Sequence, residues 1–228
     1  MLQPALVVAV DGPSGSGKSS TSRAVAQRLG AAYLDTGSMY RALTIWCDGQ
    51  GIAPDQAEAV RQAAADLPMV INTDPRGFRV ELDGRDITSQ LHTPQVSAIV
   101  SGYAAIRPAR DELSARMRQI IADRGRIVVE GRDITTVVAP DADVRILLQA
   151  DPQRRIARRV RQLKGAADEQ TVTDQVVGRD ALDATSSDFE KPAPGVTLID
   201  SSELDLGQVI DLVISLVPQQ LRTPVAQG

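Results

Sequence analysis

Residues Gly12-Pro-Ser-Gly-Ser-Gly17-Lys18-Ser19 form a complete G-x-x-x-x-G-K-S run, and the residue types in it point to phosphate. Glycines let a loop wrap with its N–H groups turned inward, around an anion. A helix that starts on the loop adds partial positive charge beneath that anion. The Lys18 ammonium is placed to reach β- and γ-phosphates, and the Ser19 hydroxyl to ligate Mg²⁺. A nucleoside triphosphate is the ligand these residues imply, and phosphoryl chemistry is what they serve. Other side chains suit the same chemistry. Asp35-Thr-Gly and Gly131-Arg-Asp133 each follow an apolar run, and Arg154, Arg155, Arg158, Arg159, Arg161 and Lys164 crowd one segment. Transfer between two polyanions needs positive side chains that neutralise both partners and follow the moving group.

These residues must be positioned by regular elements, and the pattern supplies them. Ala5-Leu-Val-Val-Ala-Val10 reads as a buried strand feeding the loop, and Thr21 to Leu29 as the helix after it, with Ala24, Val25 and Leu29 on its inner face. Further strands are expected at 32–34, 127–130, 144–148 and 196–199, with helical patterns after the first, third and fourth. Strands alternating with helices in this way predict an α/β fold, three-layered, around a five-stranded parallel sheet. Ligands in such sheets gather at the strand ends, where Asp35 and Gly131-Arg-Asp133 fall. Asp35 or Thr36 can cap a helix carrying Tyr40 and Arg41. Composition shifts at Pro68. Strand-like 69–72 and 77–82, with turns at Asp74–Gly77 and Asp83-Gly84, predict a small antiparallel insertion over 69–88. Asp151-Pro152 is a cap followed by proline, opening the basic helix. Like charges at i, i+3 and i+4 repel unless an anion binds them, so a short helical lid over 152–178 is expected, closing to exclude water. A helix should resume near Asp174. The tail from 218 to 228 has no periodicity and is expected to be disordered.

Bulk properties narrow the classes. With 25 Lys and Arg against 29 Asp and Glu, the net charge of −4 argues against nucleic acid as a partner. Cys47 is the only cysteine, so neither an intrachain disulfide nor a cysteine-rich metal site is expected. His92 is the only histidine and lies in a turn-like stretch, against histidine acid–base chemistry. The longest apolar runs fall well short of the ~20 residues that span a membrane. Met1-Leu-Gln-Pro lacks a basic leader, so a cytoplasmic, membrane-free protein is expected. The Asn-Lys-x-Asp pattern of guanine-specific switches is absent.

Taken together, the motifs resemble the bacterial cytidylate (CMP) kinase family of P-loop nucleoside monophosphate kinases. The resemblance rests on Asp11 to Ser20, Tyr33-Leu-Asp-Thr-Gly-Ser-Met-Tyr-Arg41, Glu130-Gly-Arg-Asp133 with Thr136-Val-Val, and Arg179-Asp-Ala-Leu-Asp183. These run in family order over roughly residues 5 to 217, and the insertion at 69–88 also matches. The resemblance implies transfer from ATP to CMP and dCMP with Mg²⁺. Gly12, Pro13, Ser14, Gly15, Ser16, Gly17, Lys18, Ser19 and Ser20 would bind ATP. Thr36, Tyr40 and Arg41 would line the monophosphate site within a region spanning 36–110, with Arg41 on the acceptor phosphate. Ser101, Arg110, Arg132 and Asp133 match positions that read cytosine or hold the nucleotide. Cytosine offers an N4 donor beside N3 and O2 acceptors, so a carboxylate and an arginine complement it. Arg179 and Asp183 match positions near ribose and phosphate. The lid arginines Arg155, Arg158 and Arg159 would join Lys18 at the transferring group. Two positions depart from the family's pattern: Ser186 stands where an arginine is expected, and Thr135 where a glycine is. A single-domain monomer is expected. The alternatives are a kinase of UMP or another nucleoside monophosphate, and a nucleotide-dependent ATPase or switch.

Overall fold

The computed structural model describes residues 4–163 and 191–222. Its first strand, β1 (Leu6–Asp11), is the apolar run before the phosphate loop, and it turns Leu6, Val8 and Val10 to one face of the sheet and Ala9 to the other. That alternation places a core on each side, as a sheet covered on both faces requires. Helix α1 (Lys18–Leu29) follows, then β2 (Ala32–Asp35), α2 (Thr36–Gly49) and α3 (Ala57–Ala65). The insertion is β3 (Met69–Asn72), β4 (Arg79–Leu82) and β5 (Arg85–Asp86). Helices α4 (Pro94–Ala104) and α5 (Arg107–Arg124) lead to β6 (Arg126–Gly131), a turn of π-helix (Ile134–Val138) and β7 (Val144–Gln149). Then come α6 (Pro152–Leu163), β8 (Thr197–Asp200), α7 (Leu206–Leu216) and α8 (Gln219–Arg222).

Among the described residues the expected five-stranded parallel sheet is present, in the order β2-β6-β1-β7-β8. In chain order of the core strands this is 2-3-1-4-5. β1 is central, and its last residue, Asp11, pairs with Gly131 of β6 and Leu147 of β7. The ends of β6 and β7 therefore flank the strand end that delivers the phosphate loop. One core lies under α2, α3, α4 and α5, and the other under α1 and α7. β3, β4 and β5 form the separate antiparallel sheet, whose β4–β5 turn uses Asp83 (φ 50°) and Gly84 (φ 73°). The sheet is tied to the core where the Tyr33 N–H donates to the Thr73 carbonyl at 2.8 Å. Arg116 of α5 also clamps it, donating to the carbonyls of Leu67 and Met69.

Two differences from the sequence reading have physical causes. α1 begins at Lys18, not Thr21, because Gly17 takes up φ 95° as N-cap and starts the helix on the loop itself. Its buried face is Thr21, Ser22, Val25, Ala26 and Leu29, with Ala24 only half-buried. Within the tail, residues 219–222 are helical and anchored. Arg126 donates to the carbonyls of Leu29, Pro4 and Leu221 (3.0, 3.3 and 2.7 Å), tying α8 to the sheet end far from the phosphate loop. The helix expected near Asp174 lies outside the described residues, as does the lid beyond Leu163.

Candidate active site

The loop between β1 and α1 is shaped for close approach. Gly15 has φ 76°, and a Cβ there would stand 2.7 Å from the Arg155 carbonyl. Gly12, Pro13 and Ser16 are buried, Ser14, Gly15, Gly17 and Lys18 half-buried, and Ser19 and Ser20 exposed. No side chain caps α1, so the positive end of its dipole meets the loop without a capping group. Lys18 Nζ donates to the Pro13 carbonyl at 3.1 Å, which folds the ammonium back over the loop.

Behind the loop sits a buried acid. The Ser19 hydroxyl donates to Glu130 Oε1 at 2.5 Å, and the Tyr33 hydroxyl donates to the same oxygen at 3.1 Å. Burial pushes the Glu130 carboxyl up, and the charge of Asp35 pushes it further, against Lys18 and the two hydroxyls. Asp35 caps α2 by accepting from the Ser38 N–H (3.2 Å) and hydroxyl (2.7 Å). Thr36 is buried and donates through Oγ1 to the Glu130 carbonyl at 2.9 Å, a contact possible because Gly131 has no side chain.

Just beyond the end of β6, Asp133 is buried and ion-paired with Arg110 of α5. The Arg110 guanidinium also donates to the Ala104 carbonyl at 2.9 Å and lies 5.7 Å from the centre of the Tyr40 ring. Burial pushes the Tyr40 hydroxyl up to about 12, although Arg110 opposes it. So Tyr40, Arg110 and Asp133, far apart in the chain, form one cluster. Arg41 is buried on α2 and donates to the Leu91 carbonyl (2.7 Å) and Ser97 Oγ (3.1 Å) at the start of α4. Ser101 lies half-buried on α4, and Arg132 half-buried beside Asp133.

The basic helix α6 packs on the loop. Its N-cap is Asp151, as expected, accepting from the Gln153 N–H at 2.8 Å. Arg155 donates to the carbonyls of Ala150 and Ser14 (3.2 and 3.1 Å). Arg158 donates to the Ser16 carbonyl (3.3 Å) and to the hydroxyl and carbonyl of Ser201 (3.0 and 2.7 Å). Between α6, the loop and the β8–α7 turn lies a cavity of about 700 Å³, lined by Gly15, Thr21, Arg154, Ser202 and Leu206 among others. The side chain of Arg159, and all of Arg179, Asp183 and Ser186, lie outside the described residues.

A family model described as Cytidylate kinase matches residues 8–219. A cytidylate kinase from Cutibacterium acnes is 56% identical over 219 residues, covering 95% of this chain and 98% of that protein. The chain belongs to the cytidylate kinase family. A second member, from Nocardia farcinica, is 45% identical over 226 residues, 97% of each chain. An uncharacterized protein from Eubacterium ventriosum has a similar fold in its crystal structure. The TM-score is 0.52 at 11% identity, over 94% of this chain and 98% of that one.

Three features of the site escaped the sequence reading. In the sequence Glu130 is legible only as part of the Glu-Gly-Arg-Asp motif, yet it is the acid that meets Ser19. An acid at the end of the strand beside the phosphate-loop strand was the available signal. Residues 201–206 wall the cavity, and their place after the last parallel strand marked them. Thr135, where the family pattern suggests glycine, uses its hydroxyl: it donates to Asp11 Oδ2 at 2.6 Å. Among the described residues no helix is long and apolar enough to cross a membrane.

Proposed function

We propose that this protein transfers the γ-phosphoryl group of ATP to CMP and dCMP, yielding ADP and CDP or dCDP. The observation that carries the reading is the Arg110–Asp133 pair, buried one turn beyond β6 and next to the strand that delivers the phosphate loop. A carboxylate and a guanidinium present acceptor and donors together, the complement of the cytosine N4, N3 and O2 edge. Arg132 and Ser101 flank that edge, and the stacked Tyr40 closes one side. Thr36 and Arg41 hold the acceptor phosphate, within a monophosphate-binding region spanning 36–110. Arg179 and Asp183 contribute at the ribose and phosphate.

ATP lies with its phosphates in the loop and its nucleoside in the cavity between α6 and the β8–α7 turn. The α1 N-terminus and Lys18 stabilise the β- and γ-phosphates. Arg155 and Arg158 fix the loop by its Ser14 and Ser16 carbonyls. Together with Arg159 they supply positive charge at the transferring group, on a segment (152–178) that closes to exclude water. The acceptor phosphate is already anionic, so no general base is needed. Catalysis is alignment and charge neutralisation.

Mg²⁺ fits the donor set. Ser19 and Glu130 are hard oxygen ligands in contact, and a carboxyl whose ionisation is opposed by burial and by Asp35 gains from a nearby cation. Among the described residues no group of three His, Cys, Asp or Glu could hold a metal alone, so phosphate oxygens would complete its shell. Held by Ser19 and Glu130, the ion would supply positive charge to offset that of the triphosphate.

The test is ADP release from Mg-ATP with CMP, dCMP, UMP, AMP or GMP added singly. Release that depends on CMP and dCMP, with little from purines, is expected. Equal release with UMP would widen the acceptor class, and release indifferent to every monophosphate would overturn the kinase reading.

A further inference from the structure

Asp11 is the last residue of β1 and directly precedes the phosphate loop, yet its carboxylate faces away from that loop's chemistry. It is 3% exposed. Oδ1 accepts from the Ile134 N–H at 2.8 Å, and Oδ2 accepts from the Thr135 N–H at 2.8 Å and the Thr135 hydroxyl at 2.6 Å. All three donors belong to the π-helical turn that follows Asp133. The same turn is closed onto Asp133 itself, whose carbonyl accepts from the Val137 and Val138 N–H groups at 2.9 and 3.2 Å. From the other side Arg145 of β7 donates to the Thr135 carbonyl at 3.3 Å. Burial pushes the Asp11 carboxyl up, the Thr135 and Ile134 bonds pull it back down, and nearby Asp133 pushes it up again. A carboxylate kept here without those donors would be costly.

We propose that Asp11 and Thr135 are positioning residues for the acceptor site, mounting the turn that carries Asp133 on the strand that carries the phosphate loop. The inference rests on the proposed function, since it takes Asp133 and Arg110 to read the acceptor base. The connection is short: Gly12 to Asp11 by covalent bond, Asp11 to Thr135 by hydrogen bonds, and Thr135 to Asp133 across one residue. Two substrates that must meet head to head are thereby referred to one rigid strand end, where a small misplacement costs rate steeply. The two backbone donors hold the turn coarsely. The Thr135 hydroxyl fixes which way the carboxylate plane, and so the turn, is rotated.

The decisive comparison is Thr135→Val, which keeps the shape and deletes the hydroxyl, against Thr135→Ser, which keeps the hydroxyl and deletes a methyl. CMP affinity is read by equilibrium titration without ATP, and KM for CMP and for ATP by steady-state kinetics. Thr135→Val should weaken CMP by roughly threefold to tenfold, the share of one charge-assisted hydrogen bond felt at a neighbouring residue. KM for ATP should move by less than about twofold, and Thr135→Ser should stay within about twofold of wild type for both substrates. Asp11→Asn, which leaves one acceptor oxygen where there were two, should show the same bias toward CMP. Unchanged CMP affinity in Thr135→Val would overturn the inference. So would equal losses for CMP and ATP, or a Thr135→Ser variant as impaired as Thr135→Val, since these mark a role in stability alone. If wild-type protein ignores CMP, it is the proposed function that fails. If wild type phosphorylates CMP and Thr135→Val binds it normally, only this inference fails.

Discussion

The Ser19 hydroxyl donates to Glu130 Oε1 at 2.5 Å, joining the first turn of α1 to the end of β6. Tyr33 donates to the same oxygen, so one buried carboxylate oxygen organises both the phosphate-loop side and the α2 side of the site. Glu130→Gln preserves volume and removes the charge. Its kcat should fall about 10²- to 10³-fold, the size seen when one electrostatic stabiliser of a transition state is lost. The melting temperature should not fall, because the fold already disfavours the ionised carboxyl through burial and Asp35. Steady-state rates at saturating ATP and CMP, set beside a thermal melt, check both halves. A variant with near-normal kcat would remove Glu130 from the reaction.

Lys18 offers a second test, because its ammonium rests on the Pro13 carbonyl at the rim of the loop, outside both cores. Lys18→Ala should lose turnover by at least about 10³-fold while keeping its melting temperature within a few degrees, as expected for a side chain whose partner is phosphate. Residual kcat close to wild type would show that the loop binds without it.

The Arg110–Asp133 pair is largely buried, with side chains 14% and 10% exposed, so it should report in both stability and kinetics. Asp133→Ala strands the Arg110 charge, and breaking a buried pair from one side costs on the order of 3–5 kcal/mol. KM for CMP should rise much more than KM for ATP if the pair reads the acceptor base as proposed. Substituting Arg110→Met together with Asp133→Leu should recover much of the stability and none of the CMP binding. Equal effects of Asp133→Ala on both KM values would detach the pair from the base.

Much of this architecture was legible because its signals are local. Leu6–Asp11 is a β-rich run, the glycine spacing of 12–17 needs no partner to be recognised, and Asp83-Gly84 is turn chemistry on its own. Glu130 was harder, since its meaning depends on β6 lying beside β1, a pairing between residues more than a hundred positions apart. Asp11 and Thr135 share that difficulty: a strand-end acid and a loop threonine become a latch only in three dimensions. The start of α1 was masked by its serines, which look loop-like until Gly17 is seen to cap the helix. The anchoring of α8 likewise depends on Arg126, whose three carbonyl partners come from three separate parts of the chain.

The chain has three tyrosines, and the fold suppresses ionisation of each. Burial pushes the Tyr33 hydroxyl well up, helped by the charges of Glu130 and Asp35, and pushes Tyr40 up to about 12. Tyr103 is raised by burial too, while its hydroxyl donates to the Ile52 carbonyl at 2.8 Å. An acid whose folded pKa lies above its unfolded value binds its proton more tightly in the folded state. Its contribution is therefore whole below the unfolded value, about 10 for tyrosine, and is lost as pH climbs toward the folded value. Titration at 295 nm should show little tyrosinate in the native protein at pH 10.5, and then a steep rise that coincides with loss of far-ultraviolet circular dichroism. Tyr33→Phe should shift that unfolding to higher pH by deleting the most strongly raised group. Smooth native titration of three tyrosines near pH 10 would mean that these hydroxyls are hydrated, and would loosen the Tyr33–Glu130 contact on which the arrangement of the phosphate-loop acid depends.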